Sequence, residues 1–253
     1  MPKSLSKTIA DFHVSTDVIK EEFNRIMRTK HQIDDIRFIF EIALKNISLF
    51  PNINLVEGAT YKDYINRWIK GYEEATLNPP SKRKASPKSS CSDPAIKTIV
   101  QYVTKIDDAE AENQSNYHNL FMSAENIQGK LLEEYIAMVV RPYGWLWCNG
   151  NVLRAVDFCF IDGKALLQIK NKSNTENSSS SAIRAGTAIQ KWYRLGTTTC
   201  QGVQSPNYKW ENLNSIINAH TFGHVANCNM TEESYKAFLQ KVATRNPCMI
   251  TYL

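Results

Sequence analysis

An aspartate, a glutamine and a lysine are brought within reach of one another by the turn predicted inside residues 155–172, AVDFCFIDGKALLQIKNK. The Asp-Gly pair at 162–163 is typical of a two-residue β-hairpin loop, which sets the pairing of the flanking strands. That register places Asp157 directly opposite Gln168, with Cβ atoms roughly 5 Å apart. Lys170 then points to the same face of the hairpin, diagonal to Asp157.

These three residue types suit the hydrolysis of a phosphodiester. Asp157 and Gln168 offer hard oxygen ligands to Mg²⁺, which would bridge to the scissile phosphate. Lys170 can position or activate the attacking water and offset the developing negative charge. From spacing alone, the more common arrangement is a surface-facing strand pair whose lysine interacts with the aspartate.

Helices surround the segment that would position these residues. Apolar residues at helical spacing predict about three helices between Thr16 and Tyr72, and β-branched and aromatic residues predict strands between Trp145 and Lys170. Ser123 is a plausible N-cap for one of the later helices. Those later helices are predicted over residues 95–105, 108–121, 124–140, 182–195 and 232–243. The order helix, strands, helix indicates an α/β core.

The predicted domains follow changes of composition along the chain. We predict a helical N-terminal region over residues 1–78, a basic Pro/Ser-rich linker over 79–95 and a catalytic domain over 96–253. The linker contains the sequence PPSKRKASPKSSCSDP, which has four prolines, four basic residues and little to bury. Its basic cluster would either touch phosphate or remain solvated.

Composition excludes several classes of protein. The 253 residues carry 30 basic and 25 acidic side chains, a net charge of +5 that permits a polyanionic partner without requiring one. The six cysteines form no Cys-x-x-Cys pair, which argues against a zinc ribbon or a disulfide framework and for reduced thiols in a cytoplasm. Neither a signal peptide nor a membrane span is predicted. His220, His224 and Cys228 recur at a spacing that is a weak signal for zinc.

Several sequence blocks resemble one family of nucleases. Asp157 followed by Gln168-Ile169-Lys170 resembles the D…(D/E)xK signature of the PD-(D/E)xK superfamily, which includes most type II restriction endonucleases. The blocks AENIQGKLLEEYIA, PYGWLWCNGNVLRAVDF, LLQIKNKSNTENSSSSAIR and IQKWYR are similar to the SinI family of restriction endonucleases, over about residues 124–194. The resemblance implies an α/β fold of the PD-(D/E)xK type, a mixed sheet flanked by helices.

The resemblance also implies an activity and its cofactor. It implies a Mg²⁺-dependent homodimer that cuts double-stranded DNA at GGWCC, where W is A or T, after the first G, alongside a companion methyltransferase. Carried over by position, Asp157 is the principal metal ligand, Gln168 the third-position ligand, Lys170 the catalytic lysine and Glu133 the helix carboxylate.

This sequence departs from the superfamily pattern in two places. Val156 stands where proline is usual, and Gln168 stands where an acid is usual. A neutral amide binds Mg²⁺ more weakly than a carboxylate, so a second carboxylate must compensate. Glu133 is the first choice for it, and Glu134 and Glu125 on the same helix remain alternatives.

Basic residues are concentrated beside the predicted site. Between Gln168 and Trp210 there are six basic residues and one acid, Glu176. The segment NKSNTENSSSS supplies side chains that donate to phosphates and can read base edges, although composition alone also fits a flexible polar loop. The predicted DNA contacts are Lys172, Asn174, Asn177, Arg184, Lys191 and Arg194.

Three functions therefore compete on sequence grounds. The first is a type II restriction endonuclease, which the matching blocks favour. The second is another PD-(D/E)xK nuclease that acts in repair or on branched DNA. The third is a catalytically inactive DNA-binding module, which is suggested by Gln168 at a position where the superfamily has an acid.

Overall fold

A computed structural model describes residues 4–30, 34–86, 94–172, 188–223 and 226–251. The chain divides into two compact units. We call Met1–Asn78 with Ile136–Glu232 the sheet unit, and Pro79–Tyr135 with Glu233–Leu253 the helical unit. Within the described ranges, the helices are too short or too polar to cross a membrane.

The N-terminal part of the sheet unit is helical, as the periodicity predicts. Its helices are α1 (Thr16–Met27), α2 (Asp35–Lys45) and α3 (Tyr61–Leu77). Short strands β1 (Ser4–Lys7) and β2 (Ile53–Val56) form an antiparallel pair beside them.

A five-stranded mixed sheet forms the rest of this unit. Its strands are β3 (Trp145–Trp147), β4 (Phe158–Phe160), β5 (Leu166–Lys172), β6 (Ile189–Cys200) and β7 (Val203–Tyr208). They lie in the order β3-β4-β5-β6-β7, with β5 and β6 parallel and the other neighbours antiparallel.

The N-terminal helices and one face of the sheet share a single hydrophobic core. The cluster includes Phe40 and Trp68 from the helices and Cys159 and Leu166 from the strands. The Trp68 indole N–H also donates to the carbonyl of Val152 at 2.9 Å. The sequence predicts a separate N-terminal region over residues 1–78, whereas the structure packs it into the sheet unit, because its aromatic residues are buried against the strands.

The opposite face of the sheet is covered by α6 (Trp210–Ala219). Phe158, Leu167, Ile169 and Trp192 are buried on this face. The Trp192 and Trp210 rings pack with centroids 5.3 Å apart. Phe158, Leu167 and Ile169 belong to the apolar face that the hairpin register predicts.

The helical unit contains α4 (Pro94–Thr104) and most of α5 (Asp108–Val140) and α7 (Glu232–Arg245). Its small core joins α5 and α7 through Ile127, Leu131 and Val242. The division of the chain into units thus differs from the predicted linker at 79–95 and catalytic domain at 96–253, since the middle and the C-terminal end of the chain pack together.

Two predictions about helices are wrong. Ser123 is not an N-cap, because α5 runs through it and its hydroxyl donates to the carbonyls of Asn119 and Thr251. The helix predicted over 182–195 is a strand from Ile189 onward, where it pairs in parallel with β5. Residues 182–187 lie outside the described residues.

Candidate active site

The β4–β5 hairpin has the register that its Asp-Gly turn predicts. Phe158 lies opposite Leu167 and Cys159 opposite Leu166, which is the predicted register as far as Phe158, the first residue of β4. The connection is longer than the predicted two-residue loop, because β4 ends at Phe160 and β5 begins at Leu166, and the Gly163 N–H donates to the Phe160 carbonyl at 2.8 Å. Gly163 has φ +80°, a left-handed conformation that glycine adopts without a Cβ penalty.

Asp157 is held by the backbone of the neighbouring strand. Its own N–H donates to the Leu167 carbonyl at 2.9 Å, and its Oδ2 accepts the Ile169 N–H at 2.7 Å. The carboxylate thereby takes the place of a backbone acceptor at the point where the β4 ladder ends. The hydrogen bond from the Ile169 N–H fixes the orientation of the carboxylate.

Gln168 and Lys170 are two residues apart on β5 and therefore lie on one face of the strand, whereas Leu167 and Ile169 lie on the other. Strand β6 adds Lys191 beside Gln168 and Tyr193 beside Lys170. The Lys191 Nζ lies 4.5 Å from the centre of the Tyr193 ring, a cation–π contact. Gln168 is buried and Lys170 is half-buried. One end of this face therefore brings an amide and two ammonium groups next to the Asp157 carboxylate.

The arrangement fits a hard divalent cation. A carboxylate and an amide oxygen from adjacent strands are ligand types that Mg²⁺ accepts, and this ion ordinarily keeps several waters and uses few protein ligands. Among the described residues, no group of three or more His, Cys, Asp or Glu side chains is placed to hold a metal ion.

The helix carboxylates belong to the helical unit and differ in their partners. The Glu134 carboxylate accepts the N–H and the hydroxyl of Ser81, at 2.8 and 2.5 Å. Glu133 is buried with an ion pair to Lys130 at 2.9 Å, and Glu125 is exposed. Glu134 therefore has a structural role in holding the segment at Ser81.

The predicted DNA contacts fall into three groups. Lys172 is exposed at the end of β5, and Lys191 lies beside Gln168. Asn174, Asn177 and Arg184 lie outside the described residues. Arg194 differs from both groups because it points to the opposite face of the sheet and is 5% exposed. We therefore do not retain Arg194 as a DNA contact.

Arg194 instead joins three elements in the buried interior of the sheet unit. Its Nη1 donates to both oxygens of Glu232, at 2.6 and 2.7 Å, and its Nε donates to the Asn171 Oδ1 at 2.9 Å. The Trp210 indole N–H donates to the same Glu232 carboxylate at 2.9 Å. Since Asn171 directly follows Lys170, this network fixes the end of β5 that carries the lysine. No local sequence signal predicts it, because its members are far apart along the chain.

The weak zinc signal has little structural support. The His220 ring packs against Trp145 and Phe160, and the Cys228 thiol is buried beside Asn214. Burial raises the pKa of the Cys228 thiol, which disfavours the thiolate that binds zinc. His224 lies outside the described residues.

Comparison with known proteins agrees with the resemblance seen in the sequence. Residues 68–242 match the model of the SinI restriction endonuclease family. The chain is 32% identical over 212 residues to the type II restriction enzyme Eco47I of Escherichia coli, and 30% identical over 212 residues to the type II restriction enzyme SinI of Salmonella infantis. Each alignment covers 79% of this chain and 84% of the relative. The chain therefore belongs to the SinI restriction endonuclease family.

Proposed function

We propose that this protein is a type II restriction endonuclease that makes Mg²⁺-dependent double-strand cuts in DNA at GGWCC, after the first G. Family membership supports the enzyme class, that of a site-specific deoxyribonuclease. The chemistry is supported by the bonds that hold Asp157 to the Leu167 carbonyl and the Ile169 N–H, next to Gln168 and Lys170 on β5. In this proposal the core is of the PD-(D/E)xK type, and a companion methyltransferase protects the same site in the cytoplasm.

In the proposed reaction, Asp157 and Gln168 would hold Mg²⁺. When bound, the ion stabilises negative charge on the phosphodiester oxygens. The Lys170 ammonium orients the attacking water and offsets the charge that develops on the phosphorus oxygens. The Ile169 N–H keeps the Asp157 carboxylate aligned, so little reorganisation is needed when substrate binds.

Digestion of plasmid or phage DNA followed by sequencing of the fragment ends tests this function. Discrete ends at GGWCC, seen only with added divalent cation, are expected. Discrete ends at another sequence would retain the endonuclease and reject the specificity. Cutting that follows branches rather than sequence would favour a repair nuclease, and binding without cutting would favour the inactive module.

Substituting Gln168 tests its place among the metal ligands. We expect Gln168→Glu to lower the Mg²⁺ concentration needed for half-maximal cleavage by roughly tenfold, because a carboxylate binds Mg²⁺ more strongly than an amide. Gln168→Ala is expected to raise that concentration. Cleavage rates measured across a Mg²⁺ titration give the half-maximal Mg²⁺ concentration for the wild type, Gln168→Glu and Gln168→Ala. If the three concentrations are equal, Gln168 is not a metal ligand.

The proposed enzyme acts as a homodimer, because each strand of a two-fold symmetric site needs its own active site. Helix α4 offers a surface for pairing. Its Lys97 bonds to Asp108 and Glu112 of α5 at 3.0 and 2.9 Å, so its polar side faces α5. Its apolar side faces outward and is 62–83% exposed at Ile96, Ile99, Tyr102 and Val103.

A single substitution on α4 tests the dimer. Tyr102→Glu places a charge in the proposed apolar contact. We expect it to raise the dimer dissociation constant at least tenfold, because the charge would have to be desolvated without a partner when the dimer forms. Tyr117→Glu is the control, since Tyr117 is exposed on α5, nine residues from Asp108 and thus on its opposite side. Sedimentation velocity over a concentration series should show the shift for Tyr102→Glu alone; equal behaviour of both variants would place the dimer surface elsewhere.

A further inference from the structure

Strands β6 and β7 continue past the core of the sheet unit as a two-stranded ribbon. All residues from Thr197 to Lys209 are exposed, although 197–200 and 203–208 are regular strand. The strands are joined at Gln201 and Gly202, which have φ +51° and +79°, the conformation of a tight hairpin turn. Strands that only complete a core bury alternate residues, so exposure on both faces indicates a different use.

The ribbon has the dimensions of a major-groove reader. Six residue pairs run from Leu195–Tyr208 to Cys200–Val203, which at about 3.4 Å per residue span roughly 20 Å. That length is comparable to a recognition site of about five base pairs, at about 3.4 Å each. The major groove, about 12 Å wide, admits a two-stranded ribbon.

The chemistry of the ribbon also fits base edges. Its side chains are mostly neutral donors and acceptors, namely three threonines, two glutamines, a serine and an asparagine. Glutamine pairs with adenine, and serine or threonine pair with several bases. From Ile189 to Lys209 the chain has three basic residues and no acid, so nothing in this stretch repels phosphate.

The two faces of the ribbon are distinguishable by register. Lys191 and Tyr193 lie on the face of the candidate active site, so alternation along β6 continues that face to Thr197 and Thr199. Thr199 pairs with Gln204 on this face, whereas Thr198 pairs with Ser205 on the other. The strand beside the catalytic residues thus runs directly into the ribbon.

We propose that the β6–β7 ribbon enters the major groove of duplex DNA and that its site-side pair, Thr199 and Gln204, reads base edges. This inference rests on the proposed function and adds the residues that determine specificity. It differs from the sequence-based prediction, which gives base reading to the segment NKSNTENSSSS at 171–181 and to Arg184.

Two double variants test the proposal in the full-length protein. Thr199→Ala/Gln204→Ala alters the site-side pair, and Thr198→Ala/Ser205→Ala is the matched control on the other face. Both change exposed side chains, and thermal melting checks that both remain folded. Each protein is assayed for binding to random duplexes with Ca²⁺ and sequencing of the enriched pool, and for cleavage of duplexes that carry single base-pair changes in the selected site.

The site-side variant is expected to lose discrimination at one or two base pairs by about ten- to hundredfold, while the control keeps the wild-type preference. Wild-type preference in both variants, or equal loss in both, overturns the assignment. A wild-type protein that enriches a sequence but does not cut it rejects the proposed function and leaves the ribbon tested by binding alone. A wild-type protein that enriches no sequence rejects the ribbon as a base reader.

Discussion

Replacing Lys170 with alanine is expected to slow DNA cleavage by on the order of 10³-fold or more, while binding to the same duplex with Ca²⁺ changes little. Lys170 shares the face of Gln168 on β5 and is half-buried beside Tyr193. A positioned cation that stabilises charge only in the transition state contributes to the rate and little to the binding of the substrate. The measurement is the single-turnover cleavage rate beside the dissociation constant from fluorescence anisotropy.

Lys164→Ala is the matched control for Lys170→Ala. Lys164 lies in the turn of the same hairpin with its side chain 80% exposed and a 3.4 Å ion pair to Asp162. An exposed pair of this kind contributes little to stability, so this variant should cut at about the wild-type rate. Equal rates for wild type and Lys170→Ala would remove Lys170 from the mechanism, whereas equal losses in both variants would indicate a general effect of hairpin charge.

The candidate site could be predicted because its geometry depends on local residues. An Asp-Gly turn sets the register, and register sets which side chains face each other. Asp157, Gln168 and Lys170 therefore follow from the printed sequence, and the observed β4–β5 pairing has the predicted register. What the turn does not specify is the bond from the Ile169 N–H to Asp157, which forms only where the regular ladder ends.

Strand β6, the element after the hairpin, was predicted as a helix. Its residues from Ile189 to Leu195 contain a pattern that fits either a helix or a strand over so short a run. Pairing with β5 and the burial of Trp192 favour the strand over the helix, and both depend on tertiary contacts. The Thr197–Thr199 run and Gln201-Gly202 are strand and turn signals that could have indicated the ribbon.

The division of the chain was hard to predict for a related reason. One of the points at which the chain passes between the two compact units lies after Asn78. The unit that begins there is completed by the C-terminal helix, and the N-terminal helices join the sheet. Composition along the chain reports local solvation, whereas membership of a core depends on which apolar faces meet.

Of the substitutions proposed for this protein, breaking the buried ion pair between Arg194 and Glu232 is expected to cause the largest fall in the free energy of unfolding. Arg194→Met leaves the Glu232 carboxylate, 7% exposed, with the Trp210 indole N–H at 2.9 Å but without its cation. Removing one partner of a buried pair typically costs about 3–5 kcal/mol, because the remaining charge is left uncompensated. Urea denaturation should show this fall in the free energy of unfolding.

The loss should extend to catalysis at conditions where the variant remains folded. Arg194 donates to Asn171, the residue after Lys170, and its carbonyl accepts the Lys209 N–H at the base of the ribbon. The same substitution therefore loosens the strand end that carries the catalytic lysine and the start of the ribbon. We expect a lower cleavage rate in Arg194→Met than its folded fraction accounts for.

Lys20→Met is the matched control, since Lys20 forms an ion pair with Glu41 at 2.9 Å in the same unit but with both side chains nearly half exposed. Water already solvates both of those charges, so this variant should lose less than about 1 kcal/mol. In the double variant Arg194→Met/Glu232→Gln no uncompensated charge remains, and part of the stability should return. If Arg194→Met unfolds within about 1 kcal/mol of the wild type, the Arg194–Glu232 pair does not hold β5, β6 and the start of α7 together. In that case the position of Lys170 depends on the β4–β5 hairpin alone.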